Sequence, residues 1–269
     1  MNKRIIFGLI IISVMMLMAI FAPFIAVEDP LEINHDARLE APSKEHIFGT
    51  DNLGRDIFSR MVYGGRVSLS VGFIAVFVSL VIGVLLGGLS GYYGGWIDNM
   101  IMRLVEVMYC FPTFFLIMMI ITFLGPSIVN VMIVIGLTSW AGLCRLVRAE
   151  FLTLRERDFV HSAEVQGVSD MRIIFRHILP NAMAPVYVSA TLSVGGAILI
   201  ESALSFLGLG VQIPNPSWGN ILTAGKNYMD YAWWLTVFPG FAILLTVLSF
   251  NLIGEGLREK LDPKLRERK

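Results

Sequence analysis

Six long apolar runs alternate with polar segments along the chain, at residues 5–27, 67–89, 101–124, 128–146, 186–209 and 235–254. Each is about 20 residues long, which is the length that a helix needs to cross the hydrocarbon core of a bilayer. The first run is long for the apolar core of a secretory signal, and no small-residue cleavage site follows it. The pattern predicts an all-α polytopic membrane protein with six transmembrane helices.

The polar segment at residues 150–185 carries a helical pattern of its own. A first helix is predicted over residues 150–166, followed by Gly167, because glycine tolerates the left-handed backbone found at helix C-termini. A second helix is predicted to start after Ser169 or Asp170, whose side chains can accept hydrogen bonds from free backbone N–H groups. The segment is therefore predicted to be a helix–glycine–helix unit between two membrane spans.

The second of these helices is predicted to be amphipathic. Four apolar residues occupy positions i, i+3, i+4 and i+7 and would share one face: Met171, Ile174, Phe175 and Ile178. Pro180 is expected to end the helix, because proline lacks the N–H group and clashes with the preceding turn. An apolar stripe outside the membrane either lies on lipid headgroups or docks on another protein, and the pattern leaves both possibilities open.

The polar segment at residues 28–66 is predicted to contain a short helix on the membrane surface, because apolar residues recur at helical spacing between Leu53 and Val62. Just before it, residues 49–56 read GTDNLGRD. Its two acids could in principle bind a cation, but acid-rich turns more often serve as turns and helix caps, which is the interpretation we favour. The loop at residues 211–233 is rich in Pro, Gly and Trp and is not expected to cross the membrane.

Glycine and proline shape two of the predicted spans. The second run holds three glycines four residues apart, Gly83, Gly87 and Gly91, and small residues at this spacing allow close approach between helices in lipid. In the third run, Pro112 predicts a kink. We expect tight helix packing at the glycines rather than a special role in a pore.

Two acidic residues in the apolar runs are candidate pore residues. Glu106 follows Arg103 by three positions, so the two side chains can pair on one helix face. Glu201 lies inside the fifth run, where an acid is costly and usually faces protein or water rather than lipid. It either lines a translocation route or accepts hydrogen bonds between helices, and the sequence does not choose between these roles.

Composition supports a membrane protein and excludes several other classes. The chain is 55% hydrophobic with a mean hydropathy of +0.70, and its net charge of zero argues against a nucleic-acid partner. Cys110 and Cys144 have no metal-binding spacing, so no metal site is predicted. No G-x-x-x-x-G-K-[ST] phosphate loop occurs, and no H-E-x-x-H or G-x-S-x-G motif. The chain is therefore not expected to be an enzyme or to hydrolyse ATP itself.

The distribution of basic residues predicts the orientation. Six crossings place both termini on one side, and fifteen of the 21 Lys and Arg residues then fall on that side. Because cytoplasmic loops are enriched in Lys and Arg, both termini are predicted to be cytoplasmic. The same assignment places residues 150–185 in the cytoplasm.

Three motifs resemble those of one transporter family. Ala163, Gly167 and the Ile178-Leu179-Pro180 ending resemble the cytoplasmic coupling loop of ABC-importer permeases, although His161-Ser162 replaces the usual Glu-Ala pair. The GTDNLGRD run and residues 204–210 resemble the "C"-type permeases of the dipeptide, oligopeptide and nickel importers. The resemblance covers nearly the whole chain.

This resemblance implies a five-helix permease core at residues 67–258, preceded by an N-terminal helix and an extracytoplasmic segment at residues 1–66 and followed by a basic tail at residues 259–269. It implies partners in a bacterial or archaeal cell (inner) membrane: a homologous "B"-type permease forming a heterodimer, two ATPase subunits that bind ATP and Mg, and an extracytoplasmic substrate-binding protein. The cargo would be di- or oligopeptides, with nickel or a nickel chelate as the alternative. The residues expected to contact an ATPase are Phe159, Val160, His161, Ser162, Ala163, Gly167, Val168 and Ser169.

Two other classes remain as more distant alternatives. The first is a structural or assembly membrane protein whose loop at residues 150–185 binds a partner that is not an ATPase. The second is an ion-coupled secondary transporter that uses Glu106 and Glu201. The absence of an internal repeat argues against the second class, since many secondary transporters are built from two related halves.

Overall fold

A computed structural model describes residues 3–261. Within them the chain forms helices and no β-strand: α1 (Lys3–Ile20), α2 (Ala22–Ile25), α3 (Ile57–Tyr93), α4 (Gly95–Cys110), α5 (Thr113–Leu124), α6 (Ile128–Arg155), α7 (Asp158–Val165), α8 (Asp170–Arg172), α9 (Leu179–Phe206), α10 (Trp218–Gly225) and α11 (Trp234–Leu261). Short 3₁₀ turns occur at His35–Ala37 and Lys226–Tyr228, and a π-helical stretch, Ile173–Ile178, joins α8 to α9. The predicted all-α class is confirmed.

Five helices in the described part of the chain are long and apolar enough to cross a membrane: α1, α3, α6, the continuous Asp170–Phe206 helix and α11. The count becomes six if α4 and α5 together form one span, but the two are bent by 86°. The kink predicted at Pro112 is therefore confirmed, and it is sharp enough to divide the predicted crossing into two helices. Phe111 is held in extended backbone (φ −106°, ψ 132°), as is common before a proline, and Pro112 lacks the N–H needed to continue α4.

The predicted surface helix between Leu53 and Val62 does not exist as a separate element. Leu53 precedes α3, and the other apolar residues of the pattern form the first turns of α3, which begins at Ile57 and runs without interruption into the membrane span. Asp56 caps this helix by accepting a hydrogen bond from the backbone N–H of Ser59 at 2.7 Å. The predicted division of the chain after residue 66 consequently falls inside a continuous helix.

Pro180 does not end a helix, which corrects a second prediction. The helix that starts at Asp170 continues through Pro180 to Phe206. The π-helical stretch just before the proline changes the hydrogen-bond register, and the N–H of Leu179 bonds to the carbonyl of Ile174, five residues back. Proline then occupies the start of an α-helical register, where its missing N–H costs little.

α3 and α6 form the most extensive helix pair, and the spaced glycines of α3 lie in their interface. A Cβ atom added at Gly83 would lie 2.7 Å from the Leu143 Cβ, and one added at Gly91 would lie 2.6 Å from the Phe151 Cβ. Side chains at these positions would force the helices apart. The prediction of tight packing is thus confirmed.

The first and last helices pack against each other, so the two ends of the described chain lie on the same side of the bundle. Arg4 on α1 donates to Glu259 on α11, with Nη1 and Oε1 3.2 Å apart. We call this the terminal side, and it also holds the C-terminal ends of α3 and α6. The predicted basic tail reaches from residue 259 to 269, and residues 262–269 lie outside the described part of the chain.

The opposite side carries residues 26–56, which we call the N-terminal segment. Trp234, at the start of α11, donates from Nε1 to the carbonyl oxygen of Thr50 at 3.0 Å. The ring of Phe48 stacks on that of Phe238, with centroids 4.0 Å apart. These contacts fasten the N-terminal segment to the last span.

Candidate functional site

The predicted helix over residues 150–166 is two helices in the structure. α6 continues out of the bundle as far as Arg155, and α7 starts at Asp158 after a break. Arg157 lies in extended backbone (φ −88°, ψ 146°), which cannot be part of an α-helix. α7, α8 and the π-helical stretch together form what we call the α7–α8 unit, residues 158–178.

α7 has one buried face and one exposed face. Val160 and Ala163 are buried in a cluster with Ile173 and Ile174. The other residues expected to contact an ATPase differ in exposure: Phe159, His161, Ser162, Gly167 and Ser169 are exposed, and Val168 is partly buried. The two buried residues therefore support the unit from within, while the exposed ones are available to a partner.

Gly167 adopts the left-handed conformation that the sequence predicts, with φ +72°. The N–H of Gly167 bonds to the carbonyl of Glu164 at 2.9 Å, and the N–H of Val168 bonds to that of Ala163 at 3.1 Å. This pair of bonds is the Schellman arrangement that ends helices. It turns the chain sharply between α7 and α8.

The helix cap predicted at Ser169 or Asp170 takes a different form. Ser169 occupies the N-cap position, but its side chain makes no capping hydrogen bond, and its backbone carbonyl accepts from the N–H groups of Arg172 and Ile173. The carboxylate of Asp170 instead accepts a hydrogen bond from the hydroxyl of Tyr92 on α3, at 3.0 Å.

The predicted apolar stripe does not form one face, which corrects that prediction. Ile174 and Ile178 are buried in the chain's own core, whereas Met171 and Phe175 are 58% and 55% exposed. The physical reason is the π-helical stretch, whose wider turn breaks the i, i+3, i+4 alignment on which the prediction depended. Val165, at the end of α7, is 89% exposed.

Polar side chains join α3, α4 and α6 beside the α7–α8 unit. Arg148 on α6 forms a two-point ion pair with Asp98 on α4, with N–O distances of 2.5 and 2.6 Å, and Asp98 also accepts from the hydroxyl of Ser90 on α3. Arg155 donates to the backbone carbonyl of Tyr92 at 2.7 Å. These residues were not predicted from the sequence. Only Asp98 stands apart from other charges, between the second and third apolar runs.

Glu201 is fully buried at the junction of α3, α9 and α10. Its carboxylate accepts hydrogen bonds from Ser205 at 2.8 Å and from Ser68 and Ser202 at 3.4 Å. Ser68 also accepts from the N–H of Trp218, in the first turn of α10. Of the two roles that the sequence left open, the geometry favours hydrogen bonding between helices. The carboxylate does not reach the surface of this chain.

Glu106 lies in a different setting, exposed on α4, and accepts from Arg103 at 2.9 Å. The predicted pairing of these two side chains is confirmed.

The acids of the GTDNLGRD run stabilise a turn and cap a helix, which is the interpretation favoured from the sequence. Asp51 accepts from the backbone N–H groups of Leu53 and Arg55 at 2.8 and 3.0 Å, and from the Arg55 side chain at 2.7 Å. Gly54 has φ +75°, and a Cβ there would lie 1.7 Å from the carbonyl oxygen of Asn34. Among residues 3–261, no group of three or more His, Cys, Asp or Glu side chains is placed to hold a metal ion.

Comparison with known proteins identifies the family. A family model described as "Binding-protein-dependent transport system inner membrane component" matches residues 56–267. The chain belongs to this family. A second model, "N-terminal TM domain of oligopeptide transport permease C", matches residues 1–42. The chain is thus a multi-pass permease subunit of an ABC importer, a family in which the ATPase is a separate subunit.

Curated relatives extend over almost the full length of this permease. The dipeptide transport system permease protein of Alkalihalophilus pseudofirmus is 50% identical, with 98% of this chain and 87% of the relative covered. The di/tripeptide transport system permease protein of Pseudomonas aeruginosa is 42% identical, covering 98% of this chain and 89% of the relative. The probable D,D-dipeptide transport system permease protein of Escherichia coli is 44% identical, covering 95% and 86%.

A solved structure supports the fold. An inward-facing form of the MetNI methionine ABC transporter aligns with a TM-score of 0.60, covering 77% of this chain and 98% of the matched chain. Its sequence identity is 19%, so the likeness bears on the fold alone. The permease fold expected from the sequence motifs is confirmed.

Proposed function

We propose that this permease forms one half of the translocation pathway of an ATP-driven importer of di- or oligopeptides. Relatives named for dipeptides and for di- and tripeptides match it along nearly its whole length, at 42–50% identity. Relatives of that similarity favour peptides over nickel as cargo. The other half is a homologous "B"-type permease, because a single bundle of five or six spans lacks the second, symmetry-related half of a pathway.

Two ATPase subunits, which bind ATP and Mg, dock at the cytoplasmic face, one on each permease. In this chain the docking surface is the α7–α8 unit. The observation that carries this assignment is the combination of exposed apolar side chains with a buried core directly beneath them. Val165, Met171 and Phe175 are more than half exposed, while Val160 and Ile174 are buried. Such a surface is both apolar and firmly supported, as a docking element that transmits force must be.

Orientation follows from charge. The α7–α8 unit lies on the terminal side of the bundle, where the predicted excess of Lys and Arg falls. That side is cytoplasmic under the positive-inside rule. The N-terminal segment then faces outward in the cell membrane, and an extracytoplasmic binding protein delivers peptide to that face.

The test is a pull-down of the tagged chain from its native membrane in mild detergent, with ATPase activity measured in the eluate. The wild-type chain should bring down a second permease and ATPase subunits. Val165→Asp should release the ATPases, because it places a charge in the apolar contact. Val27→Asp is the matched control, since Val27 is an exposed valine on the opposite side. It should retain them.

Two other outcomes of the pull-down would contradict the proposal. If the wild-type chain elutes without any ATPase, the proposed role is refuted, and an assembly protein whose loop binds another partner becomes the better hypothesis. If both valine variants keep the ATPases, the docking surface lies elsewhere. Peptide uptake into vesicles that contain the complete complex, driven by ATP and not by a proton gradient, separates this function from ion-coupled transport through Glu106 and Glu201.

A further inference from the structure

We infer that Tyr92 and Asp98 are positioning residues that transmit movement of the α7–α8 unit into the membrane spans. The inference rests on the proposed function, since it concerns how the force of docked ATPases is passed on. Neither side chain belongs to the exposed docking surface: Tyr92 is buried and Asp98 is partly buried at the terminal side of the bundle. We therefore assign neither side chain a direct contact with an ATPase.

The covalent connections of the α7–α8 unit to the bundle are unequal. Toward α9 the helix is continuous from Asp170 to Phe206, so α8 and that span form a single helix. Toward α6 the helix is interrupted at Arg157, and this break allows the unit to change its angle relative to α6. Transmission to α3 and α4 therefore depends on side-chain contacts.

Tyr92 supplies the contact to α3. Its hydroxyl donates to Asp170 at the first residue of α8, while its ring belongs to the same buried cluster as Val160 and Ile173. On the other side, Arg155 donates to the backbone carbonyl of Tyr92, and its guanidinium lies 5.8 Å from the ring centroid. Tyr92 is thus held between α6 and the α7–α8 unit.

Asp98 extends the connection to α4. It accepts from Ser90, two residues before Tyr92 on α3, and it pairs with Arg148 through both carboxylate oxygens. Charge-assisted, two-point pairs of this kind fix orientation as well as distance. Because Asp98 lies in the first turn of α4, displacement of the α3 end is passed to the bent α4–α5 pair.

Directional contacts of this type suit a switch between two arrangements better than a gradual deformation. A hydrogen bond loses most of its strength when its geometry changes, whereas apolar packing tolerates sliding. The contacts among Asp170, Tyr92, Ser90, Asp98 and Arg148 therefore bind the docking unit to three helices in a defined geometry.

The experiment uses the complete importer reconstituted in vesicles, with peptide uptake and ATP hydrolysis measured together. Tyr92→Phe removes only the hydroxyl and keeps the buried ring. We expect the number of peptides moved per ATP hydrolysed to fall by about two- to thirty-fold, the range found for residues that modulate coupling. The ATPases should remain bound and the melting temperature should change little.

The matched control is Tyr93→Phe, the same chemical change at the next residue, which is exposed and should leave the ratio unchanged. Asp170→Ala combined with Tyr92→Phe should be no worse than the worse of the two single variants, because both remove the same contact. A merely structural role would lower the melting temperature or the yield and leave the ratio intact.

The outcomes separate this inference from the proposed function. If wild type and Tyr92→Phe move the same number of peptides per ATP, the inference is overturned and the importer role stands. Effects of Tyr92→Phe and Asp170→Ala that add fully would also overturn it. If the wild-type chain recruits no ATPase, the proposed function fails, and the inference fails with it.

Discussion

A single methyl group at Gly87 should separate the two helices that form the centre of the bundle. A Cβ atom at this position would lie 2.5 Å from the carbonyl oxygen of Cys144 and 2.8 Å from the Cβ of Val147, both on α6. Carbon atoms in favourable contact lie about 3.5–4.0 Å apart, so α3 and α6 must move apart by roughly 1 Å. The added methyl group would meet a backbone carbonyl of α6, and backbone atoms, unlike a side chain, cannot change rotamer to make room.

The expected cost follows from two opposing effects. Overpacking of a close-packed core costs about 1–3 kcal/mol. Replacing glycine by alanine within a helix returns up to about 1 kcal/mol through helix propensity. We therefore expect Gly87→Ala to lower the free energy of unfolding by about 0–2 kcal/mol relative to wild type, and by about 1–3 kcal/mol relative to a glycine-to-alanine change that meets no neighbour. Gly196→Ala in α9 is the matched control, because no heavy atom lies within 4 Å of its added Cβ.

The assay is equilibrium unfolding of the purified chain in mixed micelles, followed by helical circular dichroism. Gly196→Ala should be as stable as wild type or slightly more stable. If Gly87→Ala is equally stable, then α3 and α6 are not in the close contact described, and the reasoning from helix spacing fails.

Three further predictions concern the opposite side of the bundle. Glu201→Ala should lower the free energy of unfolding by about 1–3 kcal/mol, because it leaves the Ser205 hydroxyl without its buried acceptor. Glu201→Gln keeps an acceptor and should lower it less. Equal losses for the two variants in thermal unfolding would contradict this. Gly54→Ala should make the N-terminal segment sensitive to limited proteolysis, because its Cβ would meet a backbone carbonyl. Gly125→Ala meets no neighbouring atom and should lower the free energy of unfolding by about 1–3 kcal/mol, the cost of a side chain at φ 85°, ψ 147°. Trp234→Phe should lower the free energy of unfolding by about 1 kcal/mol, because it removes the hydrogen bond to the carbonyl of Thr50. An unchanged melting temperature would show that this bond does not contribute to stability.

Periodicity and residue type predicted the features that depend on local rules. Long apolar runs predicted the membrane spans, because each can satisfy its own backbone hydrogen bonds in lipid. Gly167 predicted the left-handed turn, and the spacing of Gly83, Gly87 and Gly91 predicted the close contact with α6. These features follow from the residues themselves, whatever packs around them.

Features set by tertiary context were not predictable in the same way. The predictions that Pro180 ends a helix and that an apolar stripe starts at Met171 were both wrong for the same reason. A π-helical stretch between these two residues shifts the helical register, and no residue type marks its position. The placement of Ile174 in the chain's own core, rather than on a partner, follows from that shift. The contact between Tyr92 and Asp170 joins helices far apart in sequence, and periodicity carries no information on such pairs.

The contact between the first and last helices has a consequence for biosynthesis. α1 leaves the ribosome long before α11, the helix against which it packs. The surface of α1 around Ile5 and Gly8 must therefore remain in lipid without this protein neighbour until α11 has been made. A chain that stops before α11 leaves that surface uncovered, which gives membrane quality control a feature by which to recognise it.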